Sequence, residues 1–164
     1  MVMDPKIKAM ISSLETNYEK LVFILIQQDL DWKSAYEHLR GKFDADIMNL
    51  SYEMSKRLLA EKESRYPFLI NSKLRELLAE YSAQRLILRN IEFLFEPSLK
   101  LNVIPALKNI SRHQALIVLW PGEFSDNYLV YAAPGHPEHQ RGYVGDVLVL
   151  SYSNGKLVYL SGGS

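Results

Sequence analysis

The sequence has 164 residues, 48% of them apolar and 23% charged, and its 19 basic and 19 acidic side chains cancel. That length and composition exclude a disordered chain and a second full domain. The balanced charge excludes an overall field that would gather nucleic acid or an anionic membrane, and the absence of cysteine excludes disulfides, thiolate metal sites and cysteine nucleophiles. No apolar run approaches the roughly 18 to 20 residues of a membrane span, and the opening MVMDPKIKAM lacks the apolar core of a signal peptide. A cytoplasmic protein without membrane contact is expected.

Asp4-Pro5 followed by Ile7, Met10, Ile11 and Leu14 has the cap, first-turn proline and spacing of an amphipathic helix. Leu21 to Ile26 (LVFILI) is a short, continuous, branched apolar run, which suits a strand covered on both faces. Trp32, Ala35, Tyr36 and Leu39 return to helical spacing, with Gly41 as the expected stop. A short strand at Ala45 to Leu50 leads to a helix capped by Ser51, with Met54, Leu58 and Leu59 on one face. Asn71-Ser72 is expected to open a helix carrying Leu74, Leu77, Leu78 and Tyr81. Arg85 to Leu88 and Ala115 to Trp120 read as two more buried strands, separated by a helix at Asn102 to Arg112 in which Pro105 fits only the first turn. Alternating strands and helices predict an α/β fold, a mainly parallel sheet with helices on both faces. After Pro121-Gly122 come strand patterns at Tyr128 to Ala132, Val147 to Tyr152 and Lys156 to Leu160, with a hairpin turn at Ser153-Asn154-Gly155. They predict antiparallel strands at the C-terminal edge of the sheet.

Ligands of parallel α/β sheets bind beyond the carboxyl ends of the strands, so the loops after Ile26, Leu88 and Trp120 are the places for chemistry. The first has the layout of a phosphate-binding P-loop: a strand, a turn from Gln27 to Trp32, then Lys33-Ser34 and a helix. Where the motif needs glycine at its first and sixth positions, so that backbone amides can curl round phosphates, the sequence has Gln27 and Trp32. Asp29 and Asp31 add negative charge there, and Asp31 is placed to cap the helix amides. Nucleotide hydrolases often carry an acidic residue at the end of a strand such as Arg85 to Leu88, to hold magnesium. Here Arg89 stands in that place, with Glu92 three residues on.

The runs NLSYEMSKRLL, LILRNIEFLFEPSLKLN, ISRHQALIVLWPGE and YAAPGHPEHQRGY resemble the BrxF family, the small P-loop proteins of type three BREX (bacteriophage exclusion) systems. The resemblance covers roughly Lys20 to Tyr143. It rests on Asn90-Ile91-Glu92, Ser111-Arg112, Trp120-Pro121-Gly122 and Pro134-Gly135-His136-Pro137-Glu138. It implies a P-loop NTPase-like core over 20–122; with the length and patterns above, the expected organisation is a single domain, 1–164, with an N-terminal helix in 1–19 and a strand extension in 123–160. Lys33 and Ser34 fall on the family's nucleotide-binding lysine and hydroxyl residue, while both glycines are missing and Arg89 replaces its aspartate.

The expected function is therefore a BREX accessory protein with a degenerate P-loop, acting through other BREX proteins and needing no cofactor, any ATP and magnesium binding being weak. One alternative is an active ATPase using Lys33, Ser34 and Glu92, with Arg112 acting on a neighbouring copy's nucleotide in a homo-oligomer. Another is a nucleic-acid-binding accessory protein touching DNA only within a complex, through the alternating Tyr128, Tyr131, Tyr143, Tyr152 and Tyr159. Arg89 reads as structural, paired with Asp29, Asp31 or Glu92, or else as facing an anion. Trp120, Gly122, His136 and Glu138 mark the turn motifs, and His136, Glu138 and His139 are too few constraints for a metal site, so none is expected.

Overall fold

The computed structural model describes residues 3–26 and 30–163; Gln27, Gln28 and Asp29 lie outside the described residues. In chain order the elements are α1 (Pro5–Ser12), β1 (Leu21–Ile26), α2 (Trp32–Phe43), β2 (Asp46–Asn49), α3 (Leu50–Leu58), α4 (Tyr66–Ala79), β3 (Arg85–Arg89), α5 (Val103–Ile110) and β4 (Ala115–Trp120). Five strands follow: β5 (Glu123–Ser125), β6 (Tyr128–Tyr131), β7 (Gln140–Tyr143), β8 (Leu148–Ser153) and β9 (Lys156–Ser161). The architecture is α/β, with a six-stranded sheet in the order β2-β3-β4-β1-β8-β9 and a separate three-stranded sheet β5-β6-β7.

The three apolar runs are adjacent and parallel: β3 pairs with β4 and β4 with β1, in register at Phe23–Val118 and Leu86–Leu116. Their alternation feeds two cores. Leu21, Phe23, Leu86, Leu88, Leu116, Val118 and Trp120 face α3, α4 and α5. Val22, Ile24, Ile87, Ile117 and Leu119 face α1 and α2. The helices change face because the chain reverses direction: β1 to β2 crosses three places one way over α2, and β2 to β3 to β4 returns beneath the other helices. Right-handed crossovers demand that exchange. They leave α2, which follows β1, and the small sheet, which follows β4, on opposite faces, and a crevice opens at the carboxyl end of the large sheet.

Local expectations meet tertiary forces in several places. Asp4 caps α1, its carboxylate accepting from the Lys6 amide at 2.8 Å. Gly41 does not end α2, which runs on to Phe43 and closes on Asp44 in the left-handed region at φ 50°. Ala35, Leu39 and Phe43 form one buried stripe, and burying Phe43 outweighs the ~1 kcal/mol penalty of a helical glycine. Ser51 does not cap α3; Asn49 does, accepting from the Tyr52 amide at 3.1 Å, and Leu59 is 83% exposed beyond the last turn. Asn71-Ser72 lies inside α4, which begins at Tyr66 with Pro67 in its first turn and already buries Ile70.

The C-terminal strands also divide differently from the expectation. Only β9 extends the large sheet antiparallel, whereas β8 is a parallel neighbour of β1. The β8–β9 turn has positive φ at Asn154 (51°) and Gly155 (74°), as a two-residue hairpin of the twisted type requires. The segments Glu123–Ser125 and Gln140–Tyr143 pair with β6 to make the small sheet. Its inner face packs on α5, where Gln140 does the capping that Asn102 does not: its Oε1 accepts from the Val103 amide at 3.0 Å. Among the described residues no helix is long and apolar enough to cross a membrane.

Candidate functional site

The crevice at the carboxyl ends of β1, β3 and β4 encloses about 530 Å³. Ile26, Leu119 and Pro121 give it an apolar floor, Trp32 and Tyr36 on the first turns of α2 form one wall, and Arg89, Asn90 and Glu92 supply polar groups. Trp32 and Tyr36, four residues apart on one helix face, pack with ring centroids 5.5 Å apart and planes inclined at 39°. The Arg89 guanidinium lies over the Tyr36 ring at 5.1 Å and donates to Asn90 Oδ1 at 3.1 Å. Trp32, Tyr36 and Arg89 thus form a continuous ladder from the helix start to the end of β3.

Asn90 holds a left-handed backbone, φ 54°. Ser51 accounts for it: the Ser51 amide donates to the Asn90 carbonyl at 2.8 Å, its hydroxyl donates to the same oxygen, and Ser51 Oγ accepts from the Phe93 amide at 2.9 Å. The serine expected to cap a helix instead pins the exit of β3.

Arg89 makes no ion pair with Asp31 or Glu92, and the third expected partner, Asp29, lies outside the described residues. Asp31 occupies the N-cap position of α2, yet its carboxylate does not cap the amides. It accepts from the Ser34 hydroxyl at 2.9 Å. Lys33 is exposed and is not among the residues lining the crevice.

The remaining candidates lie elsewhere. Ser111 is fully buried, donating to the Lys108 carbonyl at 2.7 Å, and exposed Arg112 rests on the Tyr18 ring at 4.6 Å. Both precede β4 and so sit at the opposite end of the sheet from the crevice, ~17 Å away by the length of the strand. His136 and Glu138 belong to the turn between β6 and β7, which closes on itself: the Glu138 amide donates to His136 Nδ1 at 3.0 Å. Among the described residues no group of three or more potential metal ligands converges. Trp120 is buried edge-on against Phe23 and Phe95, at 5.8 and 5.4 Å, and its Nε1 donates to the Val130 carbonyl at 3.1 Å. A Cβ on Gly122 would stand 1.9 Å from that same carbonyl oxygen. Trp120 and Gly122 therefore fasten the small sheet to the large one. Of the tyrosines, Tyr131 stacks on Phe95 at 3.9 Å; burial first, then the charges of Glu138 and Glu92, push its phenol up.

A magnesium–nucleotide site needs inward amides, a free hydroxyl and an acid at the end of the neighbouring strand. Among the described residues, the hydroxyl and the acid are not available in that form. Ser34 is engaged by Asp31, and a cation occupies the acid's place. The arrangement suits instead a small ligand with an apolar body and an anionic end.

Arg85 was legible only as the start of a strand, yet it is the most heavily bonded cation of the molecule's other end. It donates to both carboxylate oxygens of Glu15, each at 2.6 Å, to the Phe43 carbonyl at 3.1 Å and to the Ile11 carbonyl at 2.8 Å. The last two oxygens belong to the C-terminal turns of α2 and α1, where a cation is favoured by the helix dipole. The hydrogen bond from Arg85, and then its charge, hold the Glu15 carboxyl below its ordinary value against the opposing effect of burial.

No family model matches the chain, and neither a curated protein nor a solved structure matches it.

Proposed function

We propose that the chain is a degenerate P-loop-like protein of a BREX phage-defence system, resembling BrxF, which acts by binding other BREX proteins rather than by hydrolysing nucleotide. The pathway rests on the resemblance of the four sequence runs quoted above. The P-loop NTPase-like reading is supported by the order strand, loop, Lys33-Ser34, helix at an interior parallel strand. The single observation behind the loss of hydrolysis is the Trp32–Tyr36–Arg89 ladder, which furnishes the crevice with aromatic rings and a cation where a nucleotide enzyme needs glycine amides and a metal-holding acid.

ATP with magnesium should bind with a Kd above roughly 1 mM, a free energy of no more than about 4 kcal/mol. No turnover should exceed background, and the protein should co-purify with other BREX components from cells expressing the locus. Micromolar affinity by calorimetry, or hydrolysis abolished by Lys33→Ala, refutes this reading.

Contact with DNA inside such a complex is a second reading, favoured by the outer face of the small sheet. There Tyr128 and Tyr143 pair at 5.6 Å and Arg141 lies over the Tyr128 ring at 3.5 Å. Stacking faces of this kind take single strands with a steep salt dependence, which a salt titration of the complex would expose.

A further inference from the structure

We infer that the crevice is a receptor for the free carboxylate end of a peptide chain whose last side chain is apolar. The inference rests on the reading that this protein works through partners, and it assigns one contact of that partnership.

Three features of the crevice carry it. Arg89 is half-buried yet oriented: one guanidinium N–H is taken by Asn90 Oδ1 and the guanidinium carbon stands over the Tyr36 ring. An arginine has five N–H donors in a rigid fork, so among the described residues an edge remains for the two oxygens of a carboxylate, the geometry in which arginine binds anions best. Secondly, the orientation is enforced. Asn90 sits in the left-handed region, which asparagine tolerates better than most residues, and Ser51 holds it there through the Asn90 carbonyl. The residue so pinned is the one whose side chain positions the guanidinium. Thirdly, the space beside Arg89 is chemically divided. Ile26, Leu119 and Pro121 offer hydrocarbon, and Glu92 offers an acceptor.

That division selects among anions. A phosphate, which carries between one and two negative charges at neutral pH, would meet Glu92 within the crevice, so like charges oppose it. A peptide end carries one negative charge and, on the same residue as the carboxylate, an amide N–H and a side chain. Those three groups correspond to Arg89, to Glu92 and to the apolar floor. A free amino acid differs in bearing an ammonium group in place of the amide, and its source would be a metabolite rather than a partner.

The probes are N-acetyl-leucine, N-acetyl-leucinamide, leucine and inorganic phosphate, each titrated into the whole chain. Trp32, 38% exposed on the crevice wall, reports occupancy, whereas Trp120 is fully buried in the core. N-acetyl-leucine should saturate with a Kd of about 1 mM or tighter, weakened at least tenfold by Arg89→Gln, as loss of a charge-assisted pair implies. Arg89→Lys, which keeps the charge and loses the fork, should fall between, and Trp32 spectra without ligand check that each variant is folded. Competition by a leucine-ending peptide, and not by its C-terminal amide, supports the partner as the source. The inference is overturned by any of four results: no saturation below roughly 10 mM; equal binding of the amide, of leucine or of phosphate; indifference to Arg89→Gln; or Arg89→Lys binding as wild type. None of these bears on ATP turnover or on co-purification, so this contact and the proposed function fail separately.

Discussion

Replacing Arg85 with alanine removes one cation from four acceptors at once. The Arg85 side chain is 13% exposed and that of Glu15 41%, so the ion pair itself is half in water and worth only ~0–1 kcal/mol. The two backbone carbonyls are a different matter. They terminate α1 and α2, and each loses a charge-assisted hydrogen bond, at about 1.5–3 kcal/mol for a well-buried case, together with ~0.3–1 kcal/mol of dipole compensation. Water reaches part of what is left, which offsets some of the loss. The expected cost of Arg85→Ala is therefore about 2–4 kcal/mol, and that of Glu15→Gln about 1 kcal/mol or less. Urea unfolding with an unchanged slope measures both. Acid adds a second readout. Because the folded Glu15 carboxyl lies below its ordinary value, its contribution is complete above the unfolded value and disappears as the pH falls through the folded one. That loss should be absent in Glu15→Gln. The reasoning fails if Arg85→Ala costs less than about 0.5 kcal/mol, or if Glu15→Gln costs as much as Arg85→Ala.

Gly122→Ala should destabilise the fold by roughly 1–3 kcal/mol in denaturant melts, because the new methyl meets a backbone oxygen that cannot rotate away; a neutral result would mean that the small sheet is free to shift. His38, whose Nδ1 lies 2.8 Å from the Tyr152 hydroxyl, is held below the ordinary imidazole value chiefly by burial and next by Lys42. Its ring should stay neutral as the pH falls past that ordinary value, with stability lost between the unfolded value and the lower folded one. NMR titration checks this, and an unshifted imidazole would contradict it.

The middle of the sheet could be read from the sequence because LVFILI, RLIL and ALIVLW are short, branched and apolar on both faces, a pattern that suits strands covered on both sides. Positions at the carboxyl ends follow from it, and Arg89 and Glu92 line the crevice there. The companions of Arg89 were not legible. Its contacts depend on Tyr36 reaching across from another strand's helix and on Ser51 twisting Asn90, both of which exist only after the elements pack. Arg85 and Glu15 stand far apart in the chain and neither has a local pattern that announces the other. The strands at Glu123–Ser125 and Gln140–Tyr143 are short and mixed in polarity, and only their pairing with β6 defines them. Gly122 looked like part of a turn, whereas its smallness serves a carbonyl eight positions later.

The placement of β1 has a consequence for how the molecule comes into being. Val22 takes its sheet partners from Ile117 on one side and Leu148 on the other. The strand made earliest is thus the one completed last, and both of its edges wait for distant segments. Such non-local pairing folds slowly, since the long intervening loop must be ordered before any contact rewards it. During synthesis LVFILI is left as an uncharged, proline-free, branched segment with open hydrogen bonds, the composition that seeds aggregation. A chain arrested before Leu148 retains one of those edges bare even after β4 has docked, so the hairpin of β8 and β9 acts as the closing seam of the sheet.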